Sequence, residues 1–201
     1  MKLHWSPKSP YVRKVMVCAH ELGLAHRLSL QRSVVAMRVP NAALMQDNPL
    51  SKIPTLVLDN GSTLFDSAVI CAYLDKLAGG ALFPTGAEAQ WPSMRWHAFG
   101  DGLLDALILW RNERERDAPS SELLAAFALK TQASLLQLNR EAPALRQSPL
   151  CIGHIAIGCA LGYLDYRFEA LHWRATAPVL AQWQAELAAR ASFRATEPVD
   201  G

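Results

Sequence analysis

The chain of 201 residues is long enough for one or two compact domains and too short for a long repeat array. Hydrophobic residues make up 51% of it and charged residues 19%, which supplies material for a folded core and excludes a largely disordered protein. Its 20 lysines and arginines against 18 aspartates and glutamates give a formal net charge of +2. Nucleic-acid-binding proteins usually carry a stronger positive charge, so we expect no nucleic-acid partner.

Residues 2–5 begin the predicted elements with alternating apolar and polar side chains, a pattern that predicts a short strand with one polar face. The prolines of Ser6–Pro10 cannot continue a strand in the middle of a sheet, and apolar residues at helical spacing follow them. Ser9 suits the N-cap of this helix, Pro10 its first position and Gly23 its end. The sequence therefore predicts a strand, a tight turn and a helix.

A second strand is predicted at 24–30, and residues 33–47, which lack clean periodicity, are predicted as a loop with one helical turn. The β-prone run Thr55–Leu58 is followed by an Asp-Asn-Gly-Ser turn and is predicted to form an antiparallel hairpin with Thr63–Phe65. Asp66-Ser67 then opens a helix with apolar residues at helical spacing. The order up to this helix is strand, helix, strand, loop, hairpin, helix.

Residues 78–89 contain glycines and prolines without a periodic pattern, which predicts a linker between a first domain at 1–77 and a second domain at 90–201. The second domain lacks strand patterning and is predicted to be all-helical, with its prolines lying between helices rather than within them. Its third helix has no acid, lysine or arginine from Leu150 to Leu164, which predicts a central helix packed on all sides. The four predicted helices are Pro92–Glu115, Ser121–Glu141, Leu150–Arg167 and Pro178–Arg190.

The amino-terminal residues contain no apolar segment as long as that of a signal peptide. No later stretch reaches about 18 uninterrupted apolar residues. We therefore expect a cytoplasmic protein without a membrane segment. The four cysteines show neither Cys-x-x-Cys spacing nor the density of a disulfide-rich secreted protein. We interpret them as buried, reduced thiols. They are Cys18, Cys71, Cys151 and Cys159.

Four segments combine into a pattern typical of one family. They are SPKSPYVRK at 6–14, NPLSKIP at 48–54, FDS at 65–67 and GCALGYLDYR at 158–167. In their order and separation they resemble the cytosolic glutathione transferases over the whole chain, and the tail at 192–198 is similar to that of bacterial members with a serine-type first turn. The resemblance implies a thioredoxin-like α/β first domain, of βαβ-ββα order, that binds glutathione. It also implies an all-α second domain with a pocket for a hydrophobic substrate.

The resemblance carries glutathione-binding roles onto five residues. Lys52 and Ile53 match the positions that hold the glycyl end and pair with the cysteinyl backbone, and Pro54 matches the family's cis-proline. Asp66 and Ser67 match the residues that hold the γ-glutamyl group. Independently of the family, amides at a helix start can donate to a ligand carboxylate, and the Asp66 carboxylate can accept from a ligand ammonium.

Two serines of the first turn are candidates for activating the glutathione thiol. A free thiol has a pKa of roughly 8.5, and lowering it by about two units requires about 2.7 kcal/mol of preference for the thiolate. One hydroxyl hydrogen bond contributes about 1.5–3 kcal/mol and a helix N-terminus about 0.3–1 kcal/mol, which together suffice. Ser6 matches the active position of serine-type and cysteine-type members, whereas Ser9 is the better N-cap. The sequence leaves both open, with Ser6 placed first.

The second-substrate pocket has a weaker signal, since aromatic residues at helical spacing usually pack in a core. Cys151 and His154 stand where the family usually has a Ser/Thr-x-x-Asp capping box, and neither caps as well. As a metal pair they lack a third and fourth ligand, so we expect no metal. The pocket candidates are Tyr11, Trp110, Arg111 and Tyr166.

We interpret the chain as a cytoplasmic glutathione transferase that conjugates glutathione to an electrophilic, largely apolar acceptor in detoxification. Its expected homodimer is implied by the resemblance alone. Because no cysteine occupies the first turn, the thiol-disulfide chemistry of cysteine-type members is disfavoured. The alternatives are a glutathione-dependent isomerase, dehalogenase or peroxidase that uses the same thiolate, and a non-catalytic glutathione-binding carrier protein.

Overall fold

The computed structural model describes residues 1–80 and 82–200. Residue 81 of the predicted linker 78–89 and residue 201 lie outside the described residues. The chain forms two compact units, which we number in chain order.

Unit 1 contains a mixed sheet of four strands, β1 (Lys2–Trp5), β2 (Ser29–Arg32), β3 (Thr55–Val57) and β4 (Thr63–Leu64), in the spatial order β2-β1-β3-β4. Strand β1 pairs in parallel with β2 and antiparallel with β3, and β3 pairs antiparallel with β4. This arrangement confirms the predicted thioredoxin-like architecture. The helices of the same unit are α1 (Pro10–Glu21) between β1 and β2, α2 (Ala42–Met45) between β2 and β3, and α3 (Ser67–Ala78) after β4.

The capping signals around α1 were correct, but the bounds predicted for the second strand were wrong. Ser9 is the N-cap of α1, where its Oγ accepts the N–H of Val12 at 3.3 Å, and Gly23 follows the helix with a left-handed φ of 69°. A short 3-10 helix occupies the first half of the strand predicted at 24–30, and β2 begins only at Ser29. Two leucines flanking this turn, at positions 24 and 28, are both buried, and one helical turn brings residues at that spacing to the same side.

Unit 2 is all-helical among the residues described, and its third long helix is the central one. Every residue from Cys151 to Leu161 is buried, as predicted for a helix packed on all sides. The long helices are α4 (Ala87–Arg114), α5 (Ser121–Gln147), α6 (Ile152–Arg167) and α8 (Pro178–Ala188), with a single turn α7 (Trp173–Thr176) before α8.

Two prolines lie inside helices, which contradicts the prediction that prolines separate the helices. Pro92 is in α4 and Pro143 is in α5. A proline inside a helix costs about 3 kcal/mol because it removes one hydrogen bond and crowds the preceding turn. Tertiary contacts offset this cost. Trp96, one turn after Pro92, donates its Nε1–H to Glu141 of α5 at 2.7 Å, and Leu145 after Pro143 is fully buried.

Helices α4 and α6 approach each other closely at two glycines. A Cβ atom on Gly100 would lie 2.5 Å from the carbonyl carbon of Ala156. A Cβ atom on Gly153 would lie 2.5 Å from the Cβ atom of Trp96. These separations are shorter than any real contact between carbon atoms, so this helix crossing requires glycine at both positions.

Cys151 and His154 bond to each other at the start of α6. The N–H of Cys151 donates to Nδ1 of His154 at 3.2 Å, and Nε2 of His154 lies 2.8 Å from the carbonyl oxygen of Leu145. Because a carbonyl only accepts, the histidine carries its proton on Nε2 and accepts through Nδ1. His154 therefore supplies the half of a capping box that a glutamate or glutamine usually supplies, a role the sequence did not predict.

The last helix, α9 (Ala191–Arg194), belongs to unit 1 rather than to the helical unit. Unit 1 contains Met1–Gln90 and the residues from Ala191 onward, and unit 2 contains Trp91–Arg190. The sequence predicted that all of 90–201 belongs to the helical domain. The two descriptions differ because the residues after unit 2 return to α1.

Helix α9 packs on α1 through Phe193 and Ser192. Phe193 is fully buried, and its carbonyl accepts from Nη2 of Arg13 at 3.2 Å. The guanidinium of Arg13 also lies 5.5 Å from the centroid of the Phe193 ring. Ser192 donates its hydroxyl hydrogen to the Glu21 carboxylate at the end of α1. These contacts explain why the final residues are part of unit 1.

The polar face of β1 takes part in a partly buried hydrogen-bond network. Nε2 of His4 donates to Oδ2 of Asp47 at 2.8 Å, and Nδ1 of the same ring lies 2.8 Å from Oγ of Ser33. The ammonium of Lys2 donates to the same Asp47 oxygen at 2.7 Å. The predicted strand β1 is therefore confirmed, and its polar side contacts a partly buried hydrogen-bond network.

We expect Asp47→Asn to lower the free energy of unfolding by about 1 kcal/mol at neutral pH. The Lys2 and His4 hydrogen bonds lower the pKa of the Asp47 carboxyl below its ordinary value. A carboxyl whose pKa is lowered on folding stabilises the protein above its unfolded pKa, and this contribution is lost as pH falls through the folded value. The difference between wild type and variant should therefore shrink below about pH 4 in urea unfolding.

Asp59→Asn is the matched control for this measurement. The Asp59 carboxylate pairs with the amino terminus at 3.0 Å but is 79% exposed. We expect its replacement to change stability by less than about 0.5 kcal/mol. A penalty for Asp47→Asn that stayed constant from neutral pH to pH 3 would contradict the electrostatic explanation.

Candidate functional site

Three segments leave the sheet of unit 1 at the same end. The serine turn at 6–9 follows β1, residues 52–54 precede β3, and Asp66-Ser67 follow β4. The registers His4↔Thr55 and Leu56↔Leu64 set these three segments side by side, because β1 and β4 both end where β3 begins. The seven predicted catalytic and glutathione-binding residues therefore lie at one edge of unit 1.

The two serines of the turn have different hydrogen bonds. The N–H of Ser9 donates to the carbonyl of Ser6 at 3.3 Å and closes the turn, and the Ser9 hydroxyl oxygen caps α1. Oγ of Ser6 accepts from the N–H of Lys8 and from Nη1 of Arg32, each at 3.4 Å. A hydroxyl has one donor hydrogen and two acceptor lone pairs. Both bonds that Ser6 Oγ makes in the described structure are accepted ones, so its hydrogen can be given to a further acceptor.

Arg32 is a residue at this edge that the sequence analysis missed. It ends β2, and the parallel register pairs it with Trp5 at the end of β1. Its guanidinium lies 5.8 Å from the centroid of the Trp5 ring. Only the pairing of β1 with β2 brings residue 32 beside the serine turn, and no local motif around it signals this position.

Asn48 organises the segment before β3 from a fully buried position. Its Nδ2 donates to the carbonyl of Lys52 at 3.2 Å and to Oγ1 of Thr55 at 2.9 Å. Its Oδ1 accepts the N–H of Leu50 at 3.0 Å. One side chain thus fixes both ends of the turn that carries the predicted glutathione-binding residues. An asparagine that bonds to the backbone two residues later is a common turn signal, and it was available in the sequence.

The main chain of Ile53 is free of ladder pairing. The Ile53–Pro54 peptide bond is cis, as the resemblance implies, and β3 pairs with β1 only from Thr55 onward. Among the described residues, no hydrogen bond uses the N–H or the carbonyl of Ile53. The Lys52 side chain next to it is exposed. An extended peptide could pair with these main-chain groups in the manner of an added strand.

Asp66 and Ser67 form the start of α3. Asp66 is the N-cap, and its Oδ1 accepts the N–H of Ala68 at 2.9 Å and that of Val69 at 3.5 Å. The Asp66 side chain is exposed, whereas Ser67 is only 3% exposed. The N-terminus of a helix carries a partial positive charge that favours a bound carboxylate. Capping uses one oxygen of Asp66, so the capping and the ligand-binding interpretations are compatible.

The second-substrate candidates have structural contacts within their own units. The Trp110 ring packs on that of Phe168, with centroids 4.8 Å apart. Nη1 of Arg111 donates to the hydroxyl of Tyr163 at 3.0 Å, and burial raises the pKa of Tyr163 although Arg111 opposes this. Their role in a substrate pocket stays a prediction. Of the four candidates, Tyr11 belongs to unit 1 and Trp110, Arg111 and Tyr166 belong to unit 2.

No helix within residues 1–80 and 82–200 is both long and apolar enough to cross a membrane. In the same part of the chain, no three side chains of histidine, cysteine, aspartate or glutamate are grouped so that they could hold a metal ion. Sγ of Cys151, considered above for a metal pair, lies 3.1 Å from Nδ1 of His154.

Comparison with known proteins gives the family. Residues 8–77 match the model of the glutathione S-transferase N-terminal domain. The uncharacterized GST-like protein YibF of Escherichia coli K12 is 31% identical over 203 residues, with 98% of each chain covered. A crystal structure of a glutathione transferase family member from Pseudomonas fluorescens Pf-5 with bound glutathione is 44% identical, with 99% of each chain covered and a TM-score of 0.95. The chain therefore belongs to the glutathione transferase family.

A second crystal structure of a family member from the same bacterium contains bound S-(propanoic acid)-glutathione. It is 41% identical to this chain, covers 100% of both chains and has a TM-score of 0.90.

Proposed function

We propose that the chain is a glutathione transferase that binds glutathione at the sheet edge of unit 1 and activates its thiol for attack on an electrophilic, largely apolar acceptor. The observation that carries this proposal is the convergence of the serine turn, residues 52–54 and Asp66-Ser67 at one end of the sheet. The bound glutathione and S-(propanoic acid)-glutathione of the two Pseudomonas structures support it.

Each part of glutathione has a chemically matched partner in this arrangement. The γ-glutamyl carboxylate accepts from the first amides of α3 and from the Ser67 hydroxyl, and the γ-glutamyl ammonium donates to Asp66. The cysteinyl N–H and carbonyl pair with the main chain of Ile53. The exposed ammonium of Lys52 attracts the glycyl carboxylate. The sulfur then lies against the serine turn.

The reaction proceeds through the thiolate. The bound thiol releases its proton to solvent, and the hydroxyl of Ser6 stabilises the resulting sulfur anion by donating a hydrogen bond. The sulfur attacks an electrophilic carbon and forms a carbon–sulfur bond. In a substitution the leaving group departs with the electron pair of the broken bond. In an addition the electron pair of the acceptor's double bond moves to the neighbouring atom, which takes a proton from water.

We expect Ser6→Ala to raise the pKa of the bound thiol by about one unit or more, since it removes a hydrogen bond to a charged group worth about 1.5–3 kcal/mol. The affinity for glutathione should change little, because the other contacts remain. The ultraviolet absorbance of the bound thiolate, followed against pH, measures this pKa.

Ser9→Ala is the comparison variant for this titration. It removes the N-cap of α1, so we expect it to reduce stability by about 1 kcal/mol with a smaller effect on the thiol. The reverse pattern would assign the activating role to Ser9. An unchanged thiol pKa in both variants would contradict activation by the serine turn.

Calorimetry and an acceptor panel distinguish the other candidate functions. A transferase should bind glutathione with saturable heat and turn over aromatic halides or epoxides. Turnover confined to peroxides, isomerisable substrates or dehalogenation would favour the related glutathione-dependent enzymes. Binding without any turnover would favour a carrier protein. Folded protein that shows no binding to millimolar glutathione would contradict the proposal altogether.

We also propose that the enzyme works in the cytoplasm as a homodimer and serves detoxification. In unit 2, α4 and α5 form a groove of about 300 Å³ lined by residues that include Phe99, Leu103 and Lys130. Leu109 of α4 and Leu129 of α5 are exposed, and a second copy could cover such apolar surface. Equilibrium sedimentation tests the dimer. The four cysteines, all among the described residues, are buried and form no disulfide bond, which suits a reducing compartment.

A further inference from the structure

We propose that Arg32 is a positioning residue for thiol activation: its guanidinium donates to Ser6 and thereby directs the Ser6 hydroxyl hydrogen toward the glutathione sulfur. This inference rests on the proposed function. It names a residue outside the motifs that carry the family resemblance, and it gives that residue a definite role at the same site.

The position of Arg32 is fixed by the sheet and not by its own side chain. Arg32 is the last residue of β2 and stands in register with Trp5, the last residue of β1. The next residue, Ser33, donates its N–H to the carbonyl of Trp5 at 2.9 Å, which continues the pairing beyond the strand. The guanidinium above the Trp5 ring is then directed to the adjacent Ser6. A guanidinium over an aromatic face is an attractive arrangement.

The contact between Arg32 and Ser6 restricts the direction in which the Ser6 hydroxyl hydrogen can point. The N–H of Lys8 and Nη1 of Arg32 both donate to Oγ, each at 3.4 Å. Two donors occupy the two lone pairs of a hydroxyl oxygen, so the hydroxyl hydrogen must point away from both. Removing Arg32 frees one lone pair and lets the hydroxyl rotate. A free hydroxyl spends less time in the one orientation that serves the sulfur.

Charge acts in the same direction as orientation. A cationic donor polarises the hydroxyl that accepts from it, and a polarised hydroxyl is a stronger donor to an anion. The cation within the serine turn itself, the ammonium of Lys8, lies 3.5 Å from the carboxylate of Asp200. Arg32 therefore adds a positive charge in direct contact with the proposed activating hydroxyl.

Arg32→Gln is the principal test. We expect the pKa of the bound thiol to rise by about 0.5–1 unit, since the charge and one hydrogen bond are lost at a partly exposed position. At a pH below that pKa, kcat should fall about threefold to tenfold, in proportion to the lost thiolate. KM for glutathione should change less than about twofold, because binding uses other residues. Well above the thiol pKa, wild type and variant should have the same kcat.

Two further variants separate charge from geometry. Arg27→Gln removes one positive charge before the opposite end of β2, and we expect no shift of the thiol pKa. Arg32→Lys keeps the charge without the planar fork of donors, and it should restore only part of the shift. Urea unfolding of each variant confirms that the sheet is intact.

The decisive measurement is a double-mutant cycle with Ser6→Ala. If Arg32 acts through Ser6, Arg32→Gln should add no further rise of the thiol pKa in the Ser6→Ala background. An equal rise in both backgrounds would overturn the proposal and indicate a direct interaction with the sulfur. An unchanged thiol pKa in Arg32→Gln alone would also overturn it. Failure of the proposed function is distinguishable, because wild-type protein would then bind no glutathione or leave its thiol pKa at the ordinary value.

Discussion

Ser67→Ala is expected to weaken glutathione binding by about tenfold to a hundredfold, because a hydrogen bond to a carboxylate contributes about 1.5–3 kcal/mol. Ser67 is the first residue of α3 and is almost fully buried at the sheet edge. In the proposed binding mode, its hydroxyl and the helix N-terminus act on the same γ-glutamyl carboxylate. Isothermal calorimetry of folded protein with glutathione measures the affinity directly.

Ser62→Ala is a matched control in the same unit. The Ser62 hydroxyl donates to Oδ1 of Asn60 at 2.7 Å in the exposed turn before β4. Its removal should leave the affinity for glutathione unchanged. Equal affinities for wild type and Ser67→Ala would show that the γ-glutamyl group is held elsewhere. The Ser6→Ala titration would still report on activation of the thiol.

The largest stability effect should come from Gly100→Ala, which we expect to lower the free energy of unfolding by about 2–3 kcal/mol. The new methyl group would lie 2.5–2.7 Å from the main chain and Cβ of Ala156 and from the amide nitrogen of Ile157. Backbone atoms of a buried helix cannot move aside as the end of a flexible side chain can. Urea unfolding followed by circular dichroism measures the change.

Gly102→Ala, two residues further along α4, provides the opposite expectation. A Cβ atom on Gly102 would meet no atom within 4 Å. Alanine is favoured over glycine inside a helix by about 0.5–1 kcal/mol, so this variant should be slightly more stable than wild type. If both variants were destabilised alike, the close crossing with α6 would not explain the result, because Gly102 takes no part in that crossing.

Local signals allowed a large part of the fold to be predicted. The N-cap Ser9, the Pro10 start and the Gly23 end of α1 all act through neighbouring residues, and the structure has them as expected. The order of elements in unit 1 and the all-helical character of unit 2 also follow from periodicity. These features depend on chemistry within a few residues, which the sequence displays.

The features that escaped prediction depend on contacts between distant residues. Pro92 is accommodated in α4 because Trp96 bonds to Glu141, about 45 residues away. On the polar face of β1, His4 is buried and bonds to Asp47, 43 residues away. No short segment of the sequence contains both partners of such a pair, so periodicity alone predicts a helix that begins at Pro92 and a polar strand face whose partners it does not identify.

In the candidate site, too, residues in local motifs were predicted and residues placed by distant contacts were not. The serine turn, the residues before Pro54 and the Asp66-Ser67 pair were found by their motifs. Arg32 was not, because its place beside Ser6 is created by the pairing of β1 with β2. The support that Asn48 gives to the turn before β3 was visible as a turn signal but its reach to Thr55 was not. Sequence motifs identified the groups proposed to contact a ligand. Strand pairing, which the sequence does not display, identified Arg32 as the residue that contacts one of those groups.

The return of α9 to unit 1 makes unit 2 an insertion in the covalent path of unit 1. Protease cleavage in the connection around 78–89 would therefore not release an independent amino-terminal domain. The amino-terminal fragment would no longer be covalently connected to Phe193, whose ring and carbonyl both contact the Arg13 guanidinium. The two pieces would stay associated as complementing fragments, and an amino-terminal piece expressed alone would expose the face of α1 that α9 normally covers.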